Sequence, residues 1–226
     1  MNYRHELKFL VSDAQLALIR YRLTPLMRPD VHQKKGAYTV RSLYFDDFDN
    51  TCMRENEDGI DNRRKYRIRI YDADPSVIRL EKKIKFRGMT RKVSTGISVQ
   101  DCLIYMAGRA PSPGPGSGEL EKEIFAQIKG GGMRPVSIVE YERTAFVEPR
   151  GNVRITFDRN IRGSEKPREF LERRLCAAPL LPGGSHVLEV KYDELLPEYL
   201  AGTLEMGTLQ RTAFSKYYRS RNSESI

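Results

Sequence analysis

Arginine and lysine recur at every second position in several short stretches of this chain. Lys65–Tyr71 reads KYRIRIY, which sets Lys65, Arg67, Arg69 and Tyr71 against Tyr66, Ile68 and Ile70. Arg79–Phe86 reads RLEKKIKF and sets Arg79, Glu81, Lys83 and Lys85 against Leu80, Lys82, Ile84 and Phe86. Val153–Asp158 (VRITFD) groups Arg154, Thr156 and Asp158, Leu188–Asp193 (LEVKYD) groups Glu189, Lys191 and Asp193, and Tyr3–Phe9 groups Arg4, Glu6 and Lys8. Tyr38–Asp46 and Val136–Arg143 read as further strands, the latter with Val139, Tyr141 and Arg143 on one face. A side-chain period of two belongs to β-strands. Any one of these stretches is explained by an antiparallel strand with one face in the core and one in water. The polar faces, however, are concentrated in Arg and Lys with single acids spaced among them, and cations on neighbouring strands repel. Convergence of the faces on a bound polyanion relieves that repulsion. A sheet curled into a closed barrel achieves it, with charge inside and apolar faces outward beneath helices.

The helices to supply that cover are legible. Asp13–Leu26 reads as a helix with Ser12 as N-cap and Leu16, Ile19 and Leu23 inward. Glu119–Lys129 puts Leu120, Ile124, Phe125 and Ile128 on one face, and Ser98–Ala107 and Leu195–Met206 are further helical segments, with Pro197 in a first turn. Pro111–Gly118 (PSPGPGSG) excludes helix and central strand, and Gly130–Gly132 is a second joint.

Composition narrows the function classes. The 226 residues carry 39 Lys and Arg against 30 Asp and Glu, a net charge of +9, of which +3 falls in Arg211–Ile226. Such an excess points to a polyanionic partner: nucleic acid, anionic lipid or a phosphate compound. No aromatic stacking array accompanies the basic faces, which argues against single-stranded RNA and leaves sequence-specific nucleic acid unsupported. The cysteines (Cys52, Cys102, Cys176) and histidines (His5, His32, His186) show neither disulfide nor metal-ligand spacing. No Cys or Ser has a paired histidine, so no dedicated nucleophile is indicated. No run approaches the roughly 18 apolar residues of a membrane span, and the opening Met-Asn-Tyr-Arg-His-Glu lacks a signal-peptide core. The expected location is cytoplasmic, unless a membrane-protein partner recruits the chain.

Seven motifs now stand in order: RHELK (Arg4–Lys8), RSLYFD (Arg41–Asp46), KYRIRIY (Lys65–Tyr71), LEKK (Leu80–Lys83), EYER (Glu140–Arg143), LEVKY (Leu188–Tyr192) and SKY (Ser215–Tyr217). Together they resemble the VTC domain, the polyphosphate polymerase branch of the triphosphate tunnel metalloenzymes (the CYTH-like superfamily), from about Tyr3 to Tyr218. The resemblance implies an α+β fold, an eight-stranded antiparallel β-barrel tunnel with flanking helices. It implies one VTC-type domain over 1–226, with a flexible loop at about 109–118 and a basic tail at about 219–226. It implies transfer of the terminal phosphate of ATP onto a polyphosphate chain, with Mn²⁺ or Mg²⁺. Other triphosphate compounds are alternative ligands. The wider superfamily opens with E-x-E-x-K. Here Arg4 stands at the first acid, and Glu189-Val190-Lys191 stands where two glutamates are usual. Both exchanges match the polymerase branch and weaken the adenylate-cyclase, thiamine-triphosphatase and simple triphosphatase readings. The chain resembles a stand-alone bacterial catalytic core without the regulatory SPX domain and membrane segments of the eukaryotic polymerase.

By resemblance, Lys8, Arg67, Arg69, Lys83, Arg143, Arg154 and Lys216 bind phosphate, Tyr141 lies beside it, and Glu189 is the metal ligand. Arg67, Arg69, Lys83 and Arg143 form the catalytic set. Guanidinium forks suit phosphate oxygens, lysines add compact charge, and phosphoryl transfer needs mainly positioning and neutralisation. One carboxylate suffices for a hard cation that keeps water and phosphate in its shell. Glu6 and Glu81 are second-tier metal ligands or, equally, counter-ions to Lys8 and Lys83. Asp46 and Asp158 read as structural, capping a turn or pairing with arginine. Lys65 and Lys85 share the inward parity and are candidates for the tunnel mouth. Two rivals remain: a tripolyphosphate or nucleoside-triphosphate hydrolase in the same tunnel, and a non-catalytic polyanion-binding module.

Overall fold

The computed structural model describes residues 3–33, 36–204 and 208–222. In chain order the elements are β1 (His5–Ser12), α1 (Asp13–Leu23), β2 (Arg28–Pro29), β3 (Tyr38–Asp46), α2 (Thr51–Glu57), β4 (Arg63–Tyr71), β5 (Asp74–Phe86), β6 (Met89–Ile97), α3 (Val99–Met106), α4 (Glu119–Gly130), β7 (Arg134–Glu148), β8 (Val153–Ser164), β9 (Ala178–Pro179), β10 (Ser185–Tyr192), α5 (Glu198–Thr203), β11 (Gln210–Arg211) and α6 (Lys216–Arg221). All strand pairs are antiparallel. The main path runs β11-β1-β10-β8-β7-β3-β4-β5-β6, with β2 on β7 and β9 on β8.

The antiparallel sheet and flanking helices expected from sequence are present; the closed eight-stranded ladder is not. Nine of the eleven strands form an open path and two more pair at its side; three of the eleven are only two residues long. The end strands β1 and β6 meet at one bridge, where Arg4 and Thr90 exchange both backbone hydrogen bonds at 2.9 Å. Pairing cannot run further along β1, because β6 begins at Met89 and the antiparallel register would pass into the turn that precedes it; β11 takes the same edge of β1 farther on, at Phe9 and Leu10.

Alternation decides where the cores lie. Ile68, Ile70 and Leu80 turn outward beneath Tyr105 of α3 and Leu120 and Ile124 of α4. Phe9, Phe157, Leu188 and Val190 turn outward beneath Leu16, Ile19 and Leu23 of α1 and Leu200 of α5. A third cluster, absent from the sequence reading, lies on the inner face. There Tyr44, Val139, Tyr141, Ile161 and Val187 pack against Phe214 and Tyr217, which places α6 within the curl of the sheet. Part of the inner face is therefore apolar and aromatic, packed against Phe214 and against Tyr217 of α6.

Local chemistry sets the helix ends. Ser12 and Ser98 each form a capping box, with Gln15 and Asp101 respectively. α1 stops at Leu23, three residues short of the expected end: Thr24 is still helical and its N–H reaches the Arg20 carbonyl, but Pro25 has no amide hydrogen to continue the ladder. Pro197 is the N-cap of α5 and not a residue of its first turn. The expected end of that helix at Met206, and the tail beyond Asn222, lie outside the described residues. No described helix is long and apolar enough to cross a membrane.

Gly151 turns the chain between β7 and β8 at φ +70°, and a Cβ there would lie 2.4 Å from the Leu195 carbonyl oxygen. A backbone oxygen has nowhere to retreat. Gly151→Ala is expected to lower the melting temperature by roughly 2–10 °C, measured by circular dichroism.

Candidate phosphate-binding site

The β4–β5 ladder places Arg67 opposite Glu81, Lys65 opposite Lys83 and Arg69 opposite Arg79. Arg67 Nε donates to Glu81 Oε2 at 2.8 Å, and its Nη1 donates to the Tyr44 hydroxyl at 3.2 Å. Arg69 Nε donates to Ser42 Oγ at 3.2 Å, with Nη1 3.6 Å from the same Glu81 oxygen. Lys92 of β6 binds the other oxygen of Glu81 at 2.8 Å. Glu81 is thus a shared counter-ion. Burial pushes its carboxyl up, but Arg69, Arg67 and Lys92 outweigh that and hold it below the usual carboxylate range.

The curl of the sheet brings β1 against β5. Lys83 Nζ donates to both oxygens of Glu6, at 2.6 and 2.8 Å. Lys8 and Lys191 stand 3.4 and 3.5 Å from the same carboxylate. Lys8 Nζ also donates to the Phe214 carbonyl at 2.9 Å. Burial opposes the charge of Glu6, yet Lys83, Lys191 and Lys8 together hold its carboxyl far down. Lys83 is drawn down to about 8, because burial, Lys8 and Lys191 oppose its charge more than Glu6 supports it.

Glu189 lies opposite Lys8 on β1 and Thr156 on β8, and its carboxylate bonds Lys191. Burial raises its carboxyl, while Lys191, Lys8, Arg143 and Lys216 bring it well below normal. Thr156 Oγ1 is buried with no hydrogen-bond partner. Glu189 and Glu6 share Lys191 and, with Thr156, present an all-oxygen donor set that fits a hard divalent cation. Among the described residues no group of three or more His, Cys, Asp and Glu gathers, so such a cation would complete its shell with water and phosphate oxygens.

A third group forms on β7, β8 and α6. Arg143 makes a bidentate pair with Asp158, Nε to Oδ1 at 2.7 Å and Nη2 to Oδ2 at 2.8 Å. Lys216 Nζ reaches Asp158 Oδ2 at 2.6 Å. Both cations lie over the Tyr141 ring, 5.1 and 4.7 Å from its centroid. Arg154 is turned aside: it binds Asp30 at 2.8 Å and the Tyr38 hydroxyl at 3.0 Å.

The inner face thus gathers Lys8, Arg67, Arg69, Lys83, Tyr141, Arg143, Lys216, Glu6, Glu81 and Glu189. Arg154 shares the face but is engaged by the α1–β3 connection. Asp158 is structural as expected. So is Asp46, which accepts from the Cys52 and Met53 amides at the start of α2 and from the Tyr217 hydroxyl. Tyr44 and Lys92 escaped the sequence reading. Their signals were the parity of Tyr44 with Ser42, and a strand partner for LEKK that the weakly alternating Met89–Ile97 hid. Lys8, Arg67, Arg69, Lys83, Lys92, Arg143, Arg154, Lys191 and Lys216 face only Glu6, Asp30, Glu81, Asp158 and Glu189, an excess of four positive charges. Shared carboxylates fix the cations in place yet leave guanidinium and ammonium donors uncommitted, which suits a polyvalent anion.

Solved structures with this architecture exist. A "putative adenylate cyclase" from Bacillus halodurans superposes with a TM-score of 0.53 at 14% identity, covering 91% of this chain and 89% of its own. A "putative adenylate cyclase" from Vibrio parahaemolyticus gives 0.51 at 14% identity, covering 96% and 97%. At that identity they share the fold. No curated protein matches the sequence. The family model of the VTC domain matches residues 3–224, nearly the whole length, and the chain belongs to the VTC domain family.

Proposed function

We propose that the protein is a metal-dependent polyphosphate polymerase, which transfers the terminal phosphate of ATP to a polyphosphate chain inside the curled sheet. The sheet then acts as the eight-long-strand tunnel of the family. The observation that supports this most is the excess of inner-face cations held by shared carboxylates. Arg67, Arg69 and Arg143 clamp phosphate oxygens with their free donors, and Lys83, Lys8 and Lys216 neutralise the remaining charge. Tyr141 holds Arg143 and Lys216 in place through its ring. Glu189, with Glu6 beside it, would hold Mn²⁺ or Mg²⁺, which supplies further neutralisation of phosphate charge when bound. Direct transfer between phosphates needs no protein nucleophile, in keeping with the side chains present.

The test is incubation of purified protein with ATP and Mn²⁺, with a gel for polyphosphate and an assay for free phosphate. Polymer is expected, and Glu189→Gln is expected to lower its rate by about a hundredfold or more. Orthophosphate without polymer would instead mark a triphosphate hydrolase in the same site. Binding without turnover would mark a polyanion-binding module.

A further inference from the structure

On the inner face of β4 and β5, toward the Phe86–Gly88 turn, stand Arg63, Lys65 and Lys85, none of which has a carboxylate partner among the described residues. Arg63 and Lys85 stand directly opposite each other, one rung beyond Lys65 and Lys83. Lys65 donates to Asn56 Oδ1 at 2.6 Å and Ser215 Oγ at 2.9 Å, both neutral. Arg63 Nη1 donates to the Ile60 carbonyl at 2.5 Å. Among the described residues no ion pair involves Arg63, Lys65 or Lys85, whereas Lys8, Arg67, Arg69, Lys83, Arg143, Arg154 and Lys216 each have one. Asp61 and Glu55 act on the group only at longer range, and Asp61 accepts from the Gly88 amide at 2.8 Å. Burial, together with the charges of Lys8, Lys83 and Arg63, presses Lys65 well below an ordinary lysine.

Like charges directly opposite one another destabilise a sheet. Two consecutive all-cation rungs are therefore an arrangement that folding alone disfavours. The rungs are half-buried and lead from the Arg67–Glu81 pair toward the exposed turn at Phe86–Gly88. Arg63 lies four residues from Arg67, roughly 13 Å along the strand. That exceeds the reach of a three-phosphate unit still held at Arg67.

We infer that Arg63, Lys65 and Lys85 form a second anion subsite, which takes the phosphates of a linear inorganic chain beyond those held by Arg67, Arg69, Arg143 and Lys216. The inference rests on the polyanion reading of the inner face. Lysine supplies a point charge without a fork, so this subsite grips a chain without fixing its register.

The test is calorimetric titration of the full chain with inorganic tripolyphosphate and with long-chain polyphosphate, without ATP or metal. Wild type is compared with Lys65→Met and Lys85→Gln. Tripolyphosphate affinity is expected to stay within about twofold. Long-chain affinity is expected to fall about tenfold, and the slope of log Kd against log salt to drop by about one per charge removed. Equal weakening for both ligands would overturn the inference by assigning the lysines to the triphosphate core. Unchanged affinity for both would overturn it by making them solvated surface charges. Failure of wild type to bind either ligand would remove the polyanion reading itself. Circular dichroism establishes folding first, and Lys85→Gln, nearer the surface, carries the comparison alone if Lys65→Met does not fold.

Discussion

Arg69→Gln is expected to reduce turnover by about a hundred- to a thousandfold while leaving the melting temperature nearly unchanged, the size of loss that follows removal of one preorganised donor to developing charge. The two halves of this expectation come from different contacts. The guanidinium faces the inner surface with one nitrogen on Ser42 Oγ and another 3.6 Å from Glu81. Glu81 keeps Arg67 and Lys92, both at 2.8 Å, so no buried carboxylate is orphaned. Arg143→Gln gives the contrast. Asp158 is fully buried and would retain only Lys216, so folding should weaken by about 3–5 kcal/mol alongside the loss of activity. Turnover per folded molecule together with a thermal melt separates the two. Full activity in Arg69→Gln would remove this arginine from the phosphate site.

Arg41→Met is expected to do the opposite: to lower the melting temperature by roughly 6–20 °C with turnover per folded molecule intact. Arg41 lies on the outward face of β3, 2% exposed, with Nε 2.5 Å from Glu140. Its Nη1 also donates to the carbonyls of Phe170 at 3.0 Å and Glu172 at 2.5 Å, fastening the 165–175 segment to the sheet. Removing it strands a buried carboxylate and two carbonyls, with only the half-exposed Arg162 left to Glu140. Replacing Glu140 by Met as well should recover part of the loss, because an apolar pair avoids the unpaired charge. A melting temperature unchanged in the single variant would show that the pair contributes nothing to folding.

These two arginines show how far the sequence could be read. Alternation in KYRIRIY and RLEKKIKF sufficed to assign faces, and the Arg67–Glu81 and Lys65–Lys83 pairs share the faces that parity requires. Arg41 shares parity with Leu43 and Phe45, but its burial against Glu140, 99 residues away, went unread in the sequence. Three elements gave no local signal. The N-cap of α2, Asn50, sits in the left-handed region with no side-chain cap, and the first amides of the helix bond instead to Asp47 and to Asp46 at the end of β3. β6 alternates weakly and contains Gly96. α6 has six residues, mostly polar, and is held by Asp46, Ser137 and the inner aromatic cluster more than by propensity. Strand closure was not legible either, because it depends on where along β1 the start of β6 arrives, which alternation does not set.

The position of α6 has a consequence for biosynthesis. Lys216 reaches Asp158 and Lys8 reaches the Phe214 carbonyl, so the charged cluster is complete only once residues 214–216 have been made. Until then Tyr44, Val139 and Val187 are bare and the nascent sheet lacks its internal filling, a state in which exposed apolar surface invites misassembly. Docking of α6 therefore does two things at once: it covers the inner apolar cluster and it brings Lys216 to the Arg143–Asp158 pair.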